Sequence, residues 1–141
     1  MILQCEAVLA SVRAEGNCAW CCKASRTGHD PAHVFARGLG GGHEVTAVWS
    51  VVPFCRPCHQ RSHASGVPSK ADMLAIAAKR CKCSVDDIKA AYNFISNQLD
   101  KDDSEERLAQ RIMDAVGYHT ITPIVAAMVE DALIQAGKLT E

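Results

Sequence analysis

The spacing of hydrophobic and polar positions differs between the two halves of the chain. Residues 2–14 have a helix-forming composition with one apolar side, which predicts an N-terminal helix. Residues 45–54, VTAVWSVVPF, are rich in β-branched and aromatic side chains and predict a strand that Pro53 ends. A short extended segment is expected to finish near residues 33–35. It is followed by a loop in which the glycines of 38–42 permit unusual backbone conformations.

Beyond Gly66 the apolar residues recur at the three- and four-residue spacing of helices. Ser69 and Ser84 are the expected N-caps of the first two of these helices, and the charged segment 100–104 is a predicted linker. The predicted helices cover residues 59–64, 70–79, 85–99, 105–116 and 120–136. We interpret the apolar stripes of the last two as core or as a surface for self-association or a protein partner.

The length of 141 residues suits one domain, or one small metal-stapled module with a helical appendage. We predict an α+β fold, in which residues 1–66 hold the N-terminal helix and a metal-stapled core and residues 67–141 form an all-helical accessory region. Aromatic residues are only 5% of the chain. Metal cross-linking is therefore expected to compensate for thin packing in the first half.

Four of the eight cysteines form two pairs, each with two intervening residues. Such a turn presents two thiolates to one metal, so two turns complete a tetrahedral zinc site. Cys22 is an alternative to Cys21, although the two-residue gap favours Cys21. The predicted structural zinc ligands are Cys18, Cys21, Cys55 and Cys58.

Other cysteine and histidine residues offer alternative ligands. His59 follows Cys58 directly and is an alternative to it at the zinc site. Cys81 and Cys83 form a third pair, but their one-residue gap and lack of nearby partners favour free thiols.

Charge and targeting signals bound the class of protein. No span approaches the roughly 20 apolar residues of a membrane helix, and residues 1–14 lack the features of a signal peptide. The sequence therefore predicts a cytoplasmic protein with no membrane partner, where paired cysteine turns favour metal over disulfides. Residues 1–66 contain six Lys/Arg against four Asp/Glu, whereas the rest has nine against twelve. Arg37 and Arg61 are weak candidates for phosphate contacts in the more positive half.

Further motifs surround the cysteine pairs within residues 16–66. They read Ala32-His33-Val34, Gly38-Leu39-Gly40-Gly41, Val52-Pro53-Phe54-Cys55-Arg56-Pro57-Cys58-His59, and a further His63. Together with the two cysteine turns, this stretch resembles the HNH endonucleases, the His-Me finger or ββα-metal family, and especially its small phage and prophage members.

The resemblance implies metal-dependent hydrolysis of DNA phosphodiester bonds. In this family the residue matching His33 is the general base, and those matching His59 and His63 bind a divalent cation such as Mg²⁺ or Mn²⁺. A histidine suits the role of base because it titrates near neutral pH. His29 and His43 are interpreted as loop residues that lie at the surface or make weak phosphate contacts.

This chain departs from the family at two positions. Ala32 stands where many members have a metal ligand, which makes Asp30 a candidate ligand in its place. Ser50 stands nearest to the asparagine that fixes the loop beside the base. The alternative prediction is a catalytically inactive zinc module that binds DNA or a protein partner. A further alternative is a helical adaptor whose zinc half only caps the fold.

Overall fold

The computed structural model describes residues 2–3, 5–25, 28–35, 43–99, 101 and 104–140. Within these ranges the protein is α+β, with six helices and four short strands. The strands are β1 (Ile2–Leu3), β2 (Asp30–His33), β3 (Glu44–Val45) and β4 (Val51–Phe54). The helices are α1 (Glu6–Arg13), α2 (Arg56–Ser65), α3 (Lys70–Cys81), α4 (Val85–Leu99), α5 (Glu105–Gly117) and α6 (Pro123–Gln135).

The strands pair into two small sheets. Strand β1 pairs in parallel with β3, and β2 pairs antiparallel with β4. Pro31 lies opposite Pro53 in the second sheet. Because neither proline has an N–H, this must be a pair whose carbonyls point away from each other. The Pro53 carbonyl instead accepts a hydrogen bond of 2.8 Å from the Ala19 N–H, which holds the first cysteine turn against β4.

The single strand predicted at residues 45–54 is two strands separated by a turn. The buried Ser50 hydroxyl donates to the Val45 carbonyl at 2.7 Å and accepts from the Ala47 N–H at 2.9 Å. These bonds stabilise the turn between β3 and β4. Pro53 lies inside β4 and does not end it, since its missing N–H falls at a position without a ladder hydrogen bond.

Two helices near the site begin elsewhere than predicted. Residues 2–3 are extended, and α1 starts only at Glu6. Helix α2 starts at Arg56, so it includes Cys58 as well as the two candidate metal-binding histidines. It ends at Gly66, whose φ of 72° is the left-handed conformation that glycine adopts without strain.

The helices beyond Gly66 lie where the sequence predicts them. Ser69 caps α3 with a reciprocal bond to Asp72, and the Ser84 hydroxyl accepts from the Asp87 N–H at 3.0 Å. In the predicted linker, residues 100, 102 and 103 lie outside the described residues. Ile124, expected in an apolar stripe, is 61% exposed.

One hydrophobic core crosses the boundary predicted at residue 66. Its buried members include Val52 and Phe54 of β4 as well as Ile88 of α4 and Val129 of α6. The indole N–H of Trp49 donates to a backbone carbonyl of α6 at 3.1 Å. The helices therefore pack on the strands of the first half in one continuous core. No helix in the described part of the chain is both long and apolar enough to span a membrane.

Candidate functional site

The four cysteines of the two turns converge on one point. One sulfur from each lies within 4.8 Å of the others, and the Sγ atoms of Cys21 and Cys55 are 3.7 Å apart. Zinc–sulfur bonds of about 2.3 Å in a tetrahedron place two sulfurs about 3.8 Å apart. The cluster therefore fits a structural metal such as zinc. Among the described residues, it is the only group of three or more Cys, His, Asp or Glu that meets this criterion.

Backbone hydrogen bonds shape the first cysteine turn. Cys18 exchanges bonds across a small hairpin, accepting from the Cys22 N–H at 3.0 Å and donating to the Lys23 carbonyl at 2.9 Å. Cys22 itself is exposed, has a φ of 64° and lies outside the cluster. The two-residue spacing that favoured Cys21 over Cys22 thus predicted the right neighbour.

The thiols of Cys18 and Cys58 have unequal proton affinities. Burial raises the pKa of Cys18, but hydrogen bonds from the backbone at Cys55, Cys21 and Trp20 outweigh it and bring this pKa down to about 6. Burial and the neighbouring sulfurs raise the pKa of Cys58 to about 12. One thiolate thus forms easily and the second with difficulty, unless a cation neutralises the accumulating charge.

A second group of side chains meets in a small cavity of about 140 Å³. Strand β2 contributes His33 to its wall, and α2 contributes His59 and His63, which lie one helical turn apart. The three histidines that the resemblance selects therefore share one cleft.

The ring of His33 is held by two neighbours at one nitrogen. Its Nε2 lies 2.9 Å from the Thr46 hydroxyl and 3.3 Å from a carboxylate oxygen of Glu44. Because a carboxylate only accepts, Nε2 carries the proton and Nδ1 is the basic atom of the neutral ring. Burial lowers the pKa of His33 more than the carboxylate of Glu44 raises it. The imidazole is therefore neutral at pH 7.

The rings of His59 and His63 face each other through their Nε2 atoms. Their Nε2 atoms are 3.2 Å apart. When two nitrogens each bind one metal ion at about 2.1 Å, they lie about 3.0 Å apart in an octahedral site and about 3.4 Å apart in a tetrahedral one. The Nδ1 of His59 donates to Asp30 at 3.1 Å, which leaves its Nε2 lone pair as an acceptor or a metal donor. This pair fits a divalent cation held by two imidazoles.

Asp30 was expected to be a metal ligand, and that role requires it to reach the point where the two imidazoles meet. Its carboxylate does not reach that point. It is bound to the opposite edge of the His59 ring and also accepts from the exposed guanidinium of Arg56 at 3.3 Å. Burial raises the pKa of Asp30, but its bonds to His59 and Arg56 outweigh this and lower it. Asp30 therefore orients His59 as a carboxylate behind a metal-binding imidazole does.

Two residues beside His33 were not predicted from the sequence. Glu44 and Thr46 alternate along an extended segment, so both reach the same side. Their two-residue spacing indicates that both side chains lie on one side of the segment. It does not indicate that this side faces His33. Ala32 is buried in the core and offers no ligand atom. The side chain of Ser50 bonds to the turn after β3 and its backbone carbonyl to Val34, the residue after His33.

Of the remaining candidate residues, Arg61 does not line the histidine cleft. Arg61 is exposed on α2, and Arg37 lies outside the described residues. The expectation that His29 and His43 are surface residues was wrong, since both are buried. His29 has a structural contact, with its Nδ1 2.7 Å from the Glu15 carbonyl oxygen.

Comparisons of the chain with protein families, with curated proteins and with solved structures find no match.

Proposed function

We propose that the protein is a metal-dependent HNH-type endonuclease that hydrolyses DNA phosphodiester bonds, in phage or prophage DNA processing. The observation that carries this proposal is the shared cleft of His33, His59 and His63. The three residues come from two elements far apart in sequence, so helical periodicity alone does not explain their meeting.

In this proposal His33 is the general base. Its Nε2–H is held by Thr46 and Glu44, which fixes the ring and leaves Nδ1 to take a proton from the attacking water. The lowered pKa of His33 keeps this nitrogen unprotonated at neutral pH. Glu44 then stabilises the imidazolium that proton transfer creates.

His59 and His63 are the proposed holders of a divalent cation, and Asp30 fixes the ring of His59. When bound there, such a cation supplies positive charge where the phosphate and the leaving oxygen become more negative. Imidazole donors suit Ni²⁺ or Zn²⁺ better than Mg²⁺, whose preferred ligands are oxygens. We therefore expect stronger support of cutting by Ni²⁺ than by Mg²⁺.

The four-cysteine cluster is the proposed structural zinc site. Cys55 caps α2 and Cys58 lies in its first turn, so the metal ties the N-terminus of that helix to the loop after α1. The imidazoles of the same helix are thereby held against β2.

A non-catalytic zinc module that binds DNA or protein is the second candidate. The observation that favours it is the small number of protein ligands at the second site, because Ala32 is apolar and Asp30 stands behind His59. Such a module binds DNA and leaves it intact.

Plasmid cutting in the presence of Mn²⁺ or Ni²⁺ tests the proposal. His33→Asn should cut at least about 100-fold more slowly than wild type, the low end of what a general base contributes. Its zinc content and melting temperature should stay unchanged. The matched control is His119→Asn, at an exposed histidine whose φ of 59° asparagine also tolerates. Equal cutting rates for the two variants would remove His33 from the mechanism.

A further inference from the structure

A second cavity, larger than the histidine cleft, lies next to it. It encloses about 620 Å³ between the end of α1, the first cysteine turn and the start of α2. Among the described residues that line it, Arg13, Lys23 and Arg56 are basic and Asp30 is the only acidic one. Its Lys, Arg and Asp side chains therefore sum to +2, three positive charges against one negative, although the whole chain carries −1.

The basic side chains are available to a ligand. Arg13 is 54% exposed, and its nearest carboxylate, on Glu6, is 3.8 Å away. The side chain of Arg56 is 72% exposed despite its bond to Asp30. Exposed ion pairs of this kind contribute little to stability, so exchanging their carboxylates for phosphates costs little.

Backbone contacts hold the wall of this cavity in place. The His29 N–H donates to the Arg13 carbonyl at 3.1 Å, which joins the end of α1 to the chain that enters β2. A Cβ on Gly28 would collide with that same carbonyl oxygen, so the close approach requires glycine. Arg13 is therefore fixed in position beside the start of β2.

The cavity borders the histidine cleft. Pro31 lines both, and Asp30 bonds Arg56 on one side and His59 on the other. Arg56 and His59 are three residues apart on α2, about 5–6 Å between Cβ atoms. Since one strand of a duplex carries a phosphate about every 3.4 Å of helix axis, that distance is less than the axial rise of two nucleotides.

We infer that the cavity lined by Arg13, Lys23 and Arg56 binds the backbone phosphates of the substrate strand that flank the bond being cut. This inference rests on the proposed function of the histidine cleft. Sequence-independent phosphate contacts of this kind fix the register of the strand and carry no base preference. The scissile phosphate then lies at His33, His59 and His63, and its neighbours lie along the basic wall.

The variant Arg13→Gln/Lys23→Gln tests the inference without touching the histidines or Asp30. The matched control is Lys79→Gln/Lys89→Gln, which removes two exposed positive charges from α3 and α4. Binding is measured by fluorescence anisotropy with a labelled 20-base-pair DNA duplex at several salt concentrations, in a His33→Asn background. Cutting is measured on DNA and on bis(4-nitrophenyl) phosphate, a diester without flanking phosphates.

The cavity variant should bind the duplex about tenfold more weakly than the control, with a salt dependence reduced by roughly two phosphate contacts. Its kcat/KM on DNA should fall in parallel, while its rate on the small diester stays at the control value. Binding and cutting of DNA equal to those of the control variant would overturn the inference and leave the nuclease proposal standing. A wild type that cuts neither substrate would refute the nuclease proposal. The anisotropy comparison would still show whether the cavity binds DNA.

Discussion

At His33, opposing influences set the proton affinity of one imidazole. Burial lowers its pKa from the usual 6.5, the carboxylate of Glu44 raises it, and the charge on His59 lowers it, with a net decrease. Protonation therefore favours the unfolded chain. The contribution of this residue to stability is complete above about pH 6.5 and is lost as the pH falls through its lowered pKa.

Replacing Glu44 by glutamine should lower the pKa of His33 further, because the carboxylate is the neighbour that favours the charged ring. An NMR titration of the imidazole resonances measures this pKa directly. The matched control is Glu130→Gln on the exposed side of α6, which should leave it unchanged. An unchanged or higher pKa in Glu44→Gln would show that the carboxylate does not act on this ring.

Single residues differ in how far the sequence determines their role. The spacing of Cys18 and Cys21 was sufficient, because two thiols of one turn reach the same ion whatever the rest of the fold does. The position of Asp30 behind His59 was not predictable, since it depends on the packing of α2 against β2. The contacts of Glu44 and Thr46 with His33 were not predictable either, because they depend on how the segment 44–46 lies against β2.

Among the elements, α2 serves both candidate centres. It contributes Cys58 to the sulfur cluster and His59 and His63 to the cleft. A change in how its first turn is held should therefore also move the imidazoles. The alternative use of His59 as a zinc ligand is not adopted, because its ring bonds Asp30 and His63 instead.

Cys55→Ser tests the dependence of α2 on the cluster. Loss of one of four ligands should remove roughly 3 kcal/mol, about a quarter of the free energy typical of a structural zinc site, and with it most of the bound zinc. Metal content and thermal unfolding measure the effect. Cys22→Ser is the matched control because this exposed thiol lies outside the cluster, and it should retain both zinc and stability. Equal zinc retention by the two variants would contradict the assigned ligand set.

Elements were predictable where local signals are strong. Ser69 and Ser84 begin their helices as predicted, because an N-cap bond is made within three residues. The interruption of the strand at residues 45–54 depends on bonds of Ser50 that its neighbours do not imply. The pairing of residues 2–3 with β3 joins segments about 40 residues apart, which a local pattern cannot indicate.

Across the whole molecule, the two predicted regions form one structure. The guanidinium of Arg80, near the end of α3, lies 2.6 Å from a carboxylate oxygen of Glu15, which follows α1. The indole N–H of Trp49 donates to a backbone carbonyl of α6. The apolar stripes of the helices were visible in the sequence, but a stripe does not reveal what it packs against. The boundary predicted at Gly66 is thus a helix end within a common core.

The central claim is that one fold holds a sulfur centre and an imidazole centre side by side. Native mass spectrometry of the folded protein in Ni²⁺, before and after a brief exposure to EDTA, counts both metals directly. Wild type and His119→Asn should carry one zinc that survives EDTA and one Ni²⁺ that does not, whereas His63→Asn should keep the zinc and lose the Ni²⁺. Equal Ni²⁺ uptake by His63→Asn, or no second ion in the wild type, would contradict the account.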